Sequence, residues 1–373
     1  MRMNLVFLIV FLFCSKLFGI TDYSEIDKKS VCVPDSLKTA EQISAYLTRD
    51  LKTETEKVRA FYIWISHNII YDLESKGTAK KFKTKDEVID DVLKNRKGVC
   101  QQYAELFHLF CQKSGIQSYV IGGYVRNGQK QISDVAHAWN AVQIGTNYYL
   151  MDVTWASGYT ISNVYLNQFR DEFFLIEPLL FLKTHLPFDP VWQFSDNPIS
   201  IFDFSNQNFL KLSEKGNYDY RAFIAEIEKQ DRLTCLEQVN KRLLGLDELN
   251  DLLINEIREN AFQITYEKGR IGAELFNSAT DNYNLYISFK NSRFRNPDIT
   301  DSKLRELISD IERPLYKADF MFQNVFTFNA DLRAQISRFQ ESIREFEAKL
   351  KIENDFVNKY LKTKRPLRFL QFI

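Results

Sequence analysis

The sequence has no excess of charge of either sign. Its 373 residues include 49 Lys and Arg and 49 Asp and Glu, so the formal charge at neutral pH is zero. A basic excess is what non-specific binding to nucleic acid or to an anionic membrane requires, and its absence argues against both partners. With 45% hydrophobic and 26% charged residues, the composition is that of an ordinary globular chain, long enough for one large domain or two ordinary ones.

Long hydrophobic runs are also scarce. The run at positions 5–14, LVFLIVFLFC, follows a basic start and precedes small residues. Ten residues are too few for a membrane span of ~20, whereas this pattern is typical of a secretory signal peptide. We therefore expect residues 1–19 to be a signal peptide, the protein to be extracytoplasmic (periplasmic or secreted), and the mature chain to lack a membrane span. An uncleaved N-terminal anchor is the alternative.

Cysteine is rare, and its spacing forms no known framework. Beyond the signal peptide there remain Cys32, Cys100, Cys111 and Cys235, with no CxxC pair. Neither a disulfide scaffold nor a zinc site is indicated, and we expect no metal and no cofactor. Cys100 and Cys111 would lie roughly 16 Å apart along one helix, so they cannot bridge each other.

Cys100 differs from the other cysteines by its position. In "RKGVCQQYAELFHLFCQKSG", residues 96–115, an apolar stripe at helical spacing follows the cysteine, and Gly115 ends the helix. The N–H groups and partial positive charge of a helix start favour thiolate over thiol. Cys100 is therefore a candidate nucleophile, whereas Cys111 and Cys235 are expected to be packing residues.

Three strands are predicted after this helix. The first is QSYVIGGYVRN, which ends in a turn at Asn127-Gly128, and the others are HAWNAVQI and YYLMDVTWA. Residues 159–205 are predicted to be an irregular, aromatic-rich segment that wraps the first domain. The chain from about residue 206 onward is helical in pattern.

A nucleophilic cysteine needs a base and an acceptor that orients the base. A two-residue loop at Gly145-Thr146 would pair His137 with Thr154 and make Asp152 a diagonal neighbour, with backbone ends roughly 7–8 Å apart. A His–Asp hydrogen bond can close that gap, so the sequence predicts a Cys100–His137–Asp152 triad. The remaining histidines are expected to be out of reach or in ordinary packing: His67, His108 and His185.

Four ordered segments resemble the transglutaminase-like superfamily, and more narrowly its kyphoscoliosis-peptidase-like branch. They are WISHNIIYD, GVCQQYAELFHLFC, HAWNAVQIGTNYYLMDVTWASG and EPLLFLKTHLPFDPVWQ, which together cover roughly residues 38–205. The resemblance implies an α+β, papain-like core in which the helix that carries the cysteine packs on an antiparallel sheet. It also implies that Cys100, His137 and Asp152 form the family's triad and act on an amide carbonyl through a thioester.

Further residues are assigned around this triad. The backbone N–H of Cys100 is expected to donate to the oxyanion, with Tyr71 as a second donor, while Trp139 and Trp155 are candidates for a substrate groove. Animal transglutaminases use calcium, but no EF-hand-like loop or dense carboxylate cluster surrounds the triad in the sequence, so a calcium requirement is not inherited.

The predicted organisation is a signal peptide (1–19), a transglutaminase-like catalytic domain (20–205) and an all-α domain of unassigned role (206–373). Apolar residues from Leu332 to Leu350 alternate in steps of four and three, which fits either packing within this domain or a partner helix. The predicted function is a cysteine acyltransferase or amidase with a protein or peptide substrate. A cysteine protease of the same fold and a non-catalytic scaffold are the alternatives.

Overall fold

The computed structural model describes residues 22–75, 85–126, 131–162, 164–295, 298–323, 325, 327 and 329–372. The predicted signal peptide and the predicted Asn127-Gly128 turn lie outside these residues. The chain divides into two compact units: the first runs to Pro187 and includes Trp192–Ser195, and the second comprises Phe188–Val191 and the chain from Asp196. Among the described residues, no helix is both long and apolar enough to cross a bilayer.

The first unit combines helices with an antiparallel sheet. Its helices are α1 Ser24–Val31, α2 Ala40–Thr48, α3 Glu54–Asn68, α4 Lys85–Asn95, α5 Cys100–Lys113, α6 Val153–Ser157 and α7 Pro178–Phe181. Its strands are β1 Ile70–Tyr71, β2 Lys97–Gly98, β3 Ser118–Val125, β4 His137–Ile144, β5 Asn147–Met151, β6 Tyr159–Ile161, β7 Val164–Leu166 and β8 His185–Pro187.

Helix α5 lies at the centre of the first unit. The predicted apolar stripe is buried as expected: Phe110 packs against Phe61 and Trp64 of α3, with ring centroids 5.4 and 5.6 Å apart. Gly115 ends the helix region with φ +70°, a conformation that glycine adopts without steric cost. The α+β prediction for this part of the chain is confirmed, because α5 packs on both α3 and the sheet.

The main sheet has the order β5-β4-β3-β8 and is antiparallel throughout. The predicted two-residue loop is confirmed, since Ile144 pairs with Asn147. Gly123 of β3 faces β4 on one side and β8 on the other. A Cβ at Gly123 would lie 2.2 Å from the Leu186 carbonyl oxygen and 2.6 Å from the Trp139 ring, so glycine permits this close approach of β8.

Two of the strand predictions need correction. The third strand was expected to run to Ala156, but β5 ends at Met151 and the short helix α6 follows. Aspartate is a favoured helix N-cap, and Asp152 takes that position. The segment 159–205 is not simply an irregular wrap either, because it supplies β8, an edge strand of the main sheet.

The second unit is helical, as predicted. It contains α8 Ile201–Ser205, α9 Tyr220–Ile227, α10 Arg232–Leu244, α11 Asp251–Asn291, α12 Asp301–Gln323 and α13 Ala330–Lys362. The apolar stripe of α13 packs against residues of α11 and α12 in one hydrophobic core. Packing within the domain therefore explains this stripe, which was the first of the two interpretations offered by the sequence.

A buried arginine ties the N-terminal helix to the rest of the first unit. Arg59 of α3 is 3% exposed; it donates to both Asp27 oxygens at 2.8 and 2.7 Å, and it also donates to Asp171. Its guanidinium lies 5.1 Å from the ring centroid of Tyr23 and 4.8 Å from that of Phe174. One cation thus joins three segments that are distant in sequence.

We expect Arg59→Ala to lower the free energy of unfolding of the first unit by about 2–4 kcal/mol, because it opens a cavity among these rings and removes the shared cation. Tryptophan fluorescence during urea unfolding reports on this unit alone, since all four tryptophans lie in it: Trp64, Trp139, Trp155 and Trp192. Lys28→Ala, at an ion pair in which both side chains are 74% exposed, is the control and should cost less than about 0.5 kcal/mol. Equal losses in the two variants would contradict the role assigned to Arg59.

Candidate active site

Cys100 is the first residue of α5, as the sequence predicts. The helix start is fixed by Gln102, whose side-chain oxygen accepts from the Val99 N–H at 3.0 Å. The approach to the helix is fixed by β2, which pairs in parallel with β1 so that Gly98 lies beside Tyr71. Cys100 is partly exposed, and it lines a cavity of about 500 Å³.

His137 begins β4 and lies between Cys100 and Asp152. Its Nε2 is 2.7 Å from Asp152 Oδ2, and its ring also makes a hydrogen bond with the Cys100 side chain. Because Nε2 is hydrogen-bonded to the Asp152 carboxylate, the hydrogen bond to the Cys100 sulfur uses the other ring nitrogen, Nδ1. The structure thus brings together all three residues of the predicted triad.

The relative position of α5 and the sheet depends on Asn140. This residue follows His137 by three positions on β4 and is fully buried. Its side-chain amide donates to the Ala104 carbonyl of α5 at 3.0 Å and to the Tyr119 carbonyl of β3 at 3.2 Å. The helix that carries Cys100 and the strand that carries His137 are therefore joined by hydrogen bonds one turn away from the site.

Asp152 is completely buried and accepts three hydrogen bonds. Its Oδ1 accepts from the Trp155 backbone N–H at 2.9 Å, and its Oδ2 accepts from His137 and from His185, the latter at 3.2 Å. The residue orients His137, but it does so from a helix N-cap and not from the strand face that the sequence suggested.

His185 is the functional residue that sequence reasoning missed, since it was expected to be in ordinary packing. It lies on β8, fully buried, with its Nδ1 2.8 Å from Thr184 Oγ1. Since Asp152 can only accept, His185 donates through Nε2, and Nδ1 accepts from the Thr184 hydroxyl. The only sequence signal for it was its place in the segment EPLLFLKTHLPFDPVWQ.

Opposite charges stabilise each other within this network. Burial alone would raise the pKa of the Cys100 thiol, but the His137 imidazolium, its hydrogen bond and the Ala138 N–H bring the pKa below its ordinary value. Burial alone would lower the pKa of His137, whereas Asp152 and the Cys100 thiolate raise it to about 10. Both shifts favour the thiolate–imidazolium pair over the neutral thiol and imidazole.

Asp152 and His185, at the far end of the network from Cys100, differ in charge. Burial opposes ionisation of Asp152, yet His137 and then His185 hold its pKa well below the ordinary range. Burial lowers the pKa of His185 to about 4, so this ring is neutral at pH 7. The network therefore contains one cationic and one neutral histidine on a single carboxylate.

Ligating atoms of His137, Asp152 and His185 lie within 4.8 Å of one another, a spacing that a metal ion could bridge. A metal would need a lone pair from each ring nitrogen that faces the carboxylate. Both rings instead have Nε2 within hydrogen-bonding distance of Asp152 Oδ2. The donor set thus fits a hydrogen-bonded network better than a metal centre.

Of the other predicted site residues, two line the cavity and one does not. Tyr71 and Trp155 line it, and the Trp155 ring packs 5.6 Å from the His137 ring. Trp139 does not line the cavity: it is 1% exposed and packs against Phe181 and His185 in the core. The groove hypothesis is therefore wrong for Trp139, because its inward strand position buries the indole.

The fold and this cysteine–histidine–aspartate arrangement define a papain-like thiol site. Residues 41–153 match the family profile of the transglutaminase-like superfamily, so this region of the chain is similar to that superfamily. Within it, the chain is 32% identical over 178 residues to human kyphoscoliosis peptidase and 33% identical over 172 residues to the mouse protein. These matches cover 46% and 44% of this chain, and 26% of each relative.

More distant likenesses carry less information. Hillarin from Drosophila melanogaster is 22% identical over 213 residues, which is 51% of this chain and 25% of hillarin. A solved structure described as a TGase is 17% identical, with 41% of this chain and 37% of that chain covered and a TM-score of 0.26, too low to support an argument. The chain thus spans about a quarter of the length of the curated relatives it matches.

We expect Cys100 to react with iodoacetamide at pH 6–7, where an ordinary thiol with a pKa of about 8.5 is mostly protonated. The alkylation rate increases as the pH passes through the pKa of the thiol, because the thiolate is the reactive form. A lowered pKa therefore moves this increase in rate to lower pH. In His137→Ala the imidazolium charge is lost while the burial of Cys100 remains. The increase in alkylation rate should therefore occur at a pH above the ordinary thiol pKa. Mass spectrometry of the peptide containing Cys100 gives the rate at each pH.

The exposed Cys32 in the same chain is an internal standard for the reagent. The ratio of the Cys100 rate to the Cys32 rate should be highest at acidic pH in the wild type, and this excess should vanish in His137→Ala. A ratio that is independent of pH and of His137 would rule out the thiolate–imidazolium pair.

Proposed function

We propose that the chain is a cysteine acyltransferase or amidase that attacks an amide carbonyl of a protein or peptide and passes through a thioester. The observation that carries this proposal is the continuous hydrogen-bonded series from Cys100 through His137 to Asp152 beside an open cavity. The match of residues 41–153 to the transglutaminase-like superfamily profile supports the same reaction class.

In the acylation step the Cys100 thiolate forms a bond to the carbonyl carbon of the substrate amide. The tetrahedral intermediate then expels its nitrogen, which takes the proton from His137 Nδ1 and leaves as ammonia or an amine. Asp152 holds the ring in the tautomer that presents Nδ1 to the sulfur and stabilises its cationic form. The product of this step is a thioester on Cys100 and a neutral His137.

In the second step an amine or water attacks the thioester. His137 takes the proton of the attacking group, the C–S bond breaks, and the thiolate–imidazolium pair returns. An amine gives transamidation and an isopeptide bond, whereas water gives hydrolysis, as in a cysteine protease of this fold. The same residues serve both outcomes, so the acceptor that reaches the thioester decides between them.

In this proposal two donors stabilise the oxyanion. One is the backbone N–H of Cys100 at the start of α5, where first-turn N–H groups have no intrahelical acceptor. The other is the Tyr71 hydroxyl: Tyr71 lines the cavity, burial followed by the nearby Cys100 thiolate raises its pKa, and the group stays a protonated donor at neutral pH.

We further propose that the protein acts outside the cytoplasm and that the helical unit engages a partner or a substrate. The first proposal rests on the signal-like pattern at residues 1–19, and the second on the exposed apolar side chains of α12 and α13, among them Tyr316 and Ile352. Fractionation of cells that express the full chain tests the location.

The central test compares the full chain with Cys100→Ala, using a glutamine-containing peptide and a labelled primary amine. We expect the wild type to form labelled peptide, released acid or both, and Cys100→Ala to lose both products by at least about 10³-fold, because no other group forms the thioester. Cys32→Ser, which changes an exposed thiol remote in sequence from the triad, is the control and should keep both products. Turnover that survives Cys100→Ala would refute the proposal.

His185 has a positioning role in this proposal, because it touches Asp152 and not the reacting atoms. His185→Phe keeps an aromatic ring stacked on Phe181 but removes the donor to Asp152. We expect kcat to fall about tenfold or more, in the range of a lost hydrogen bond to a charged group, while alkylation of Cys100 at pH 7 persists.

His185→Gln offers an amide N–H near the position of Nε2 and should recover part of the lost kcat. A purely structural role for His185 predicts no difference in kcat between the Phe and Gln variants once their thermal stabilities have been compared. That result would remove His185 from the mechanism.

A further inference from the structure

A cavity in the helical unit takes no part in the proposed reaction. Its volume is about 160 Å³, roughly that of five water molecules in the liquid, which is enough for a small polyatomic ion. The charged residues that line it are four arginines and two aspartates: Arg293, Arg295, Arg365, Arg368, Asp298 and Asp301. The lining therefore has an excess of two positive charges, although the chain as a whole has no excess of either sign.

A cluster of packed rings holds the two segments that carry these arginines. Phe294 is 2% exposed, and its ring centroid lies 5.2 Å from that of Tyr360 and 5.9 Å from that of Phe372. The first two arginines flank Phe294 directly in the chain, and the other two belong to the 3₁₀ segment Arg365–Phe372. The backbone at both sides of the cavity is therefore anchored in the core of the unit.

One aspartate of the lining is neutralised by one arginine. Arg368 donates to the two Asp301 oxygens at 2.6 and 2.8 Å, and its other N–H groups donate to the carbonyls of Thr363 and Leu361. These contacts hold the pKa of Asp301 below its ordinary value against the effect of burial. Arg365 lies 3.9 Å from the same carboxylate and is 76% exposed, so Asp301 attracts it only weakly.

The other two arginines add charge that the lining does not balance. Arg293 and Arg295 are exposed, and neither forms a side-chain ion pair with a residue in the described part of the chain. The remaining carboxylate of the lining is that of Asp298, which is paired with Arg295 through the backbone. Three guanidinium groups thus share one cavity with one uncommitted carboxylate, and an anion bound there would relieve their mutual repulsion.

We propose that this cavity binds a phosphate group, either free or as the monoester of a phosphorylated ligand. A phosphate monoester carries a charge of about −1.5 to −2 at pH 7, which matches the excess of positive charge in the lining. It also offers three terminal oxygens, so more than one guanidinium can pair with it through parallel hydrogen bonds. The inference uses no residue of the triad and does not depend on the proposed function.

Isothermal titration calorimetry of the full chain in 0.15 M NaCl tests the site, since that salt concentration screens weak surface attraction. We expect inorganic phosphate to bind at one site with a Kd of about 1 mM or lower. A phosphoserine peptide and its unmodified match distinguish the two sources: tighter binding of the phosphopeptide than of phosphate indicates a monoester, and the reverse order indicates the free ion. The absence of saturable binding for both phosphate and phosphopeptide would overturn the inference.

Substitutions show whether these arginines are the cause. Arg293→Gln/Arg295→Gln should weaken phosphate binding by about tenfold or more, the range of lost hydrogen bonds to a charged group. Asp298→Asn should tighten binding, because it removes a negative charge from the lining, and a misfolded variant could not show such a gain. Arg338→Gln/Arg344→Gln removes the same charge from exposed positions of α13 outside the cavity and should keep the wild-type Kd within about twofold. Equal losses in the two double variants would indicate attraction by overall charge and overturn the site.

Discussion

The first unit is organised around one buried carboxylate. Removal of a carboxylate from water costs several kcal/mol unless hydrogen bonds replace the lost hydration, and Asp152 accepts three. The donors come from β4, from β8 and from the first turn of α6, three elements that the chain brings together only when the sheet is complete. The fold and the chemistry of the site therefore share the same bonds, and loss of the sheet order would leave Asp152 buried without its partners.

The charge of Cys100 illustrates how two effects compete. A helix start stabilises an anion by about 0.3–1 kcal/mol, which is small beside the cost of placing a thiolate in a partly buried position. The hydrogen-bonded imidazolium of His137 supplies the larger stabilisation, and Asp152 keeps that ring cationic. The helix position that drew attention to Cys100 is thus a contributing cause, while the pair with His137 is the main one.

Local patterns in the sequence predicted α5, the hairpin of β4 and β5 and its register, because each depends on periodicity or a turn within a few residues. The sequence also named His137 and Asp152 together, although it misjudged the backbone at Asp152, where N-cap preference overrides strand alternation. His185 could not be found in this way, since β8 pairs with β3 across some sixty residues. The burial of Arg59 escaped prediction for the same reason, because its partners Asp27 and Asp171 are remote in the chain.

Strand β3 connects the base of the candidate site to the wall of the cavity. At Gly123 the strand pairs with His137 on one side and Pro187 on the other, and the absence of a side chain there lets β8 carry His185 to Asp152. Three residues later the same backbone presents Arg126 to the cavity. The spacing between the nucleophile's base and the arginine is therefore set by the rise of a paired strand and not by a loop.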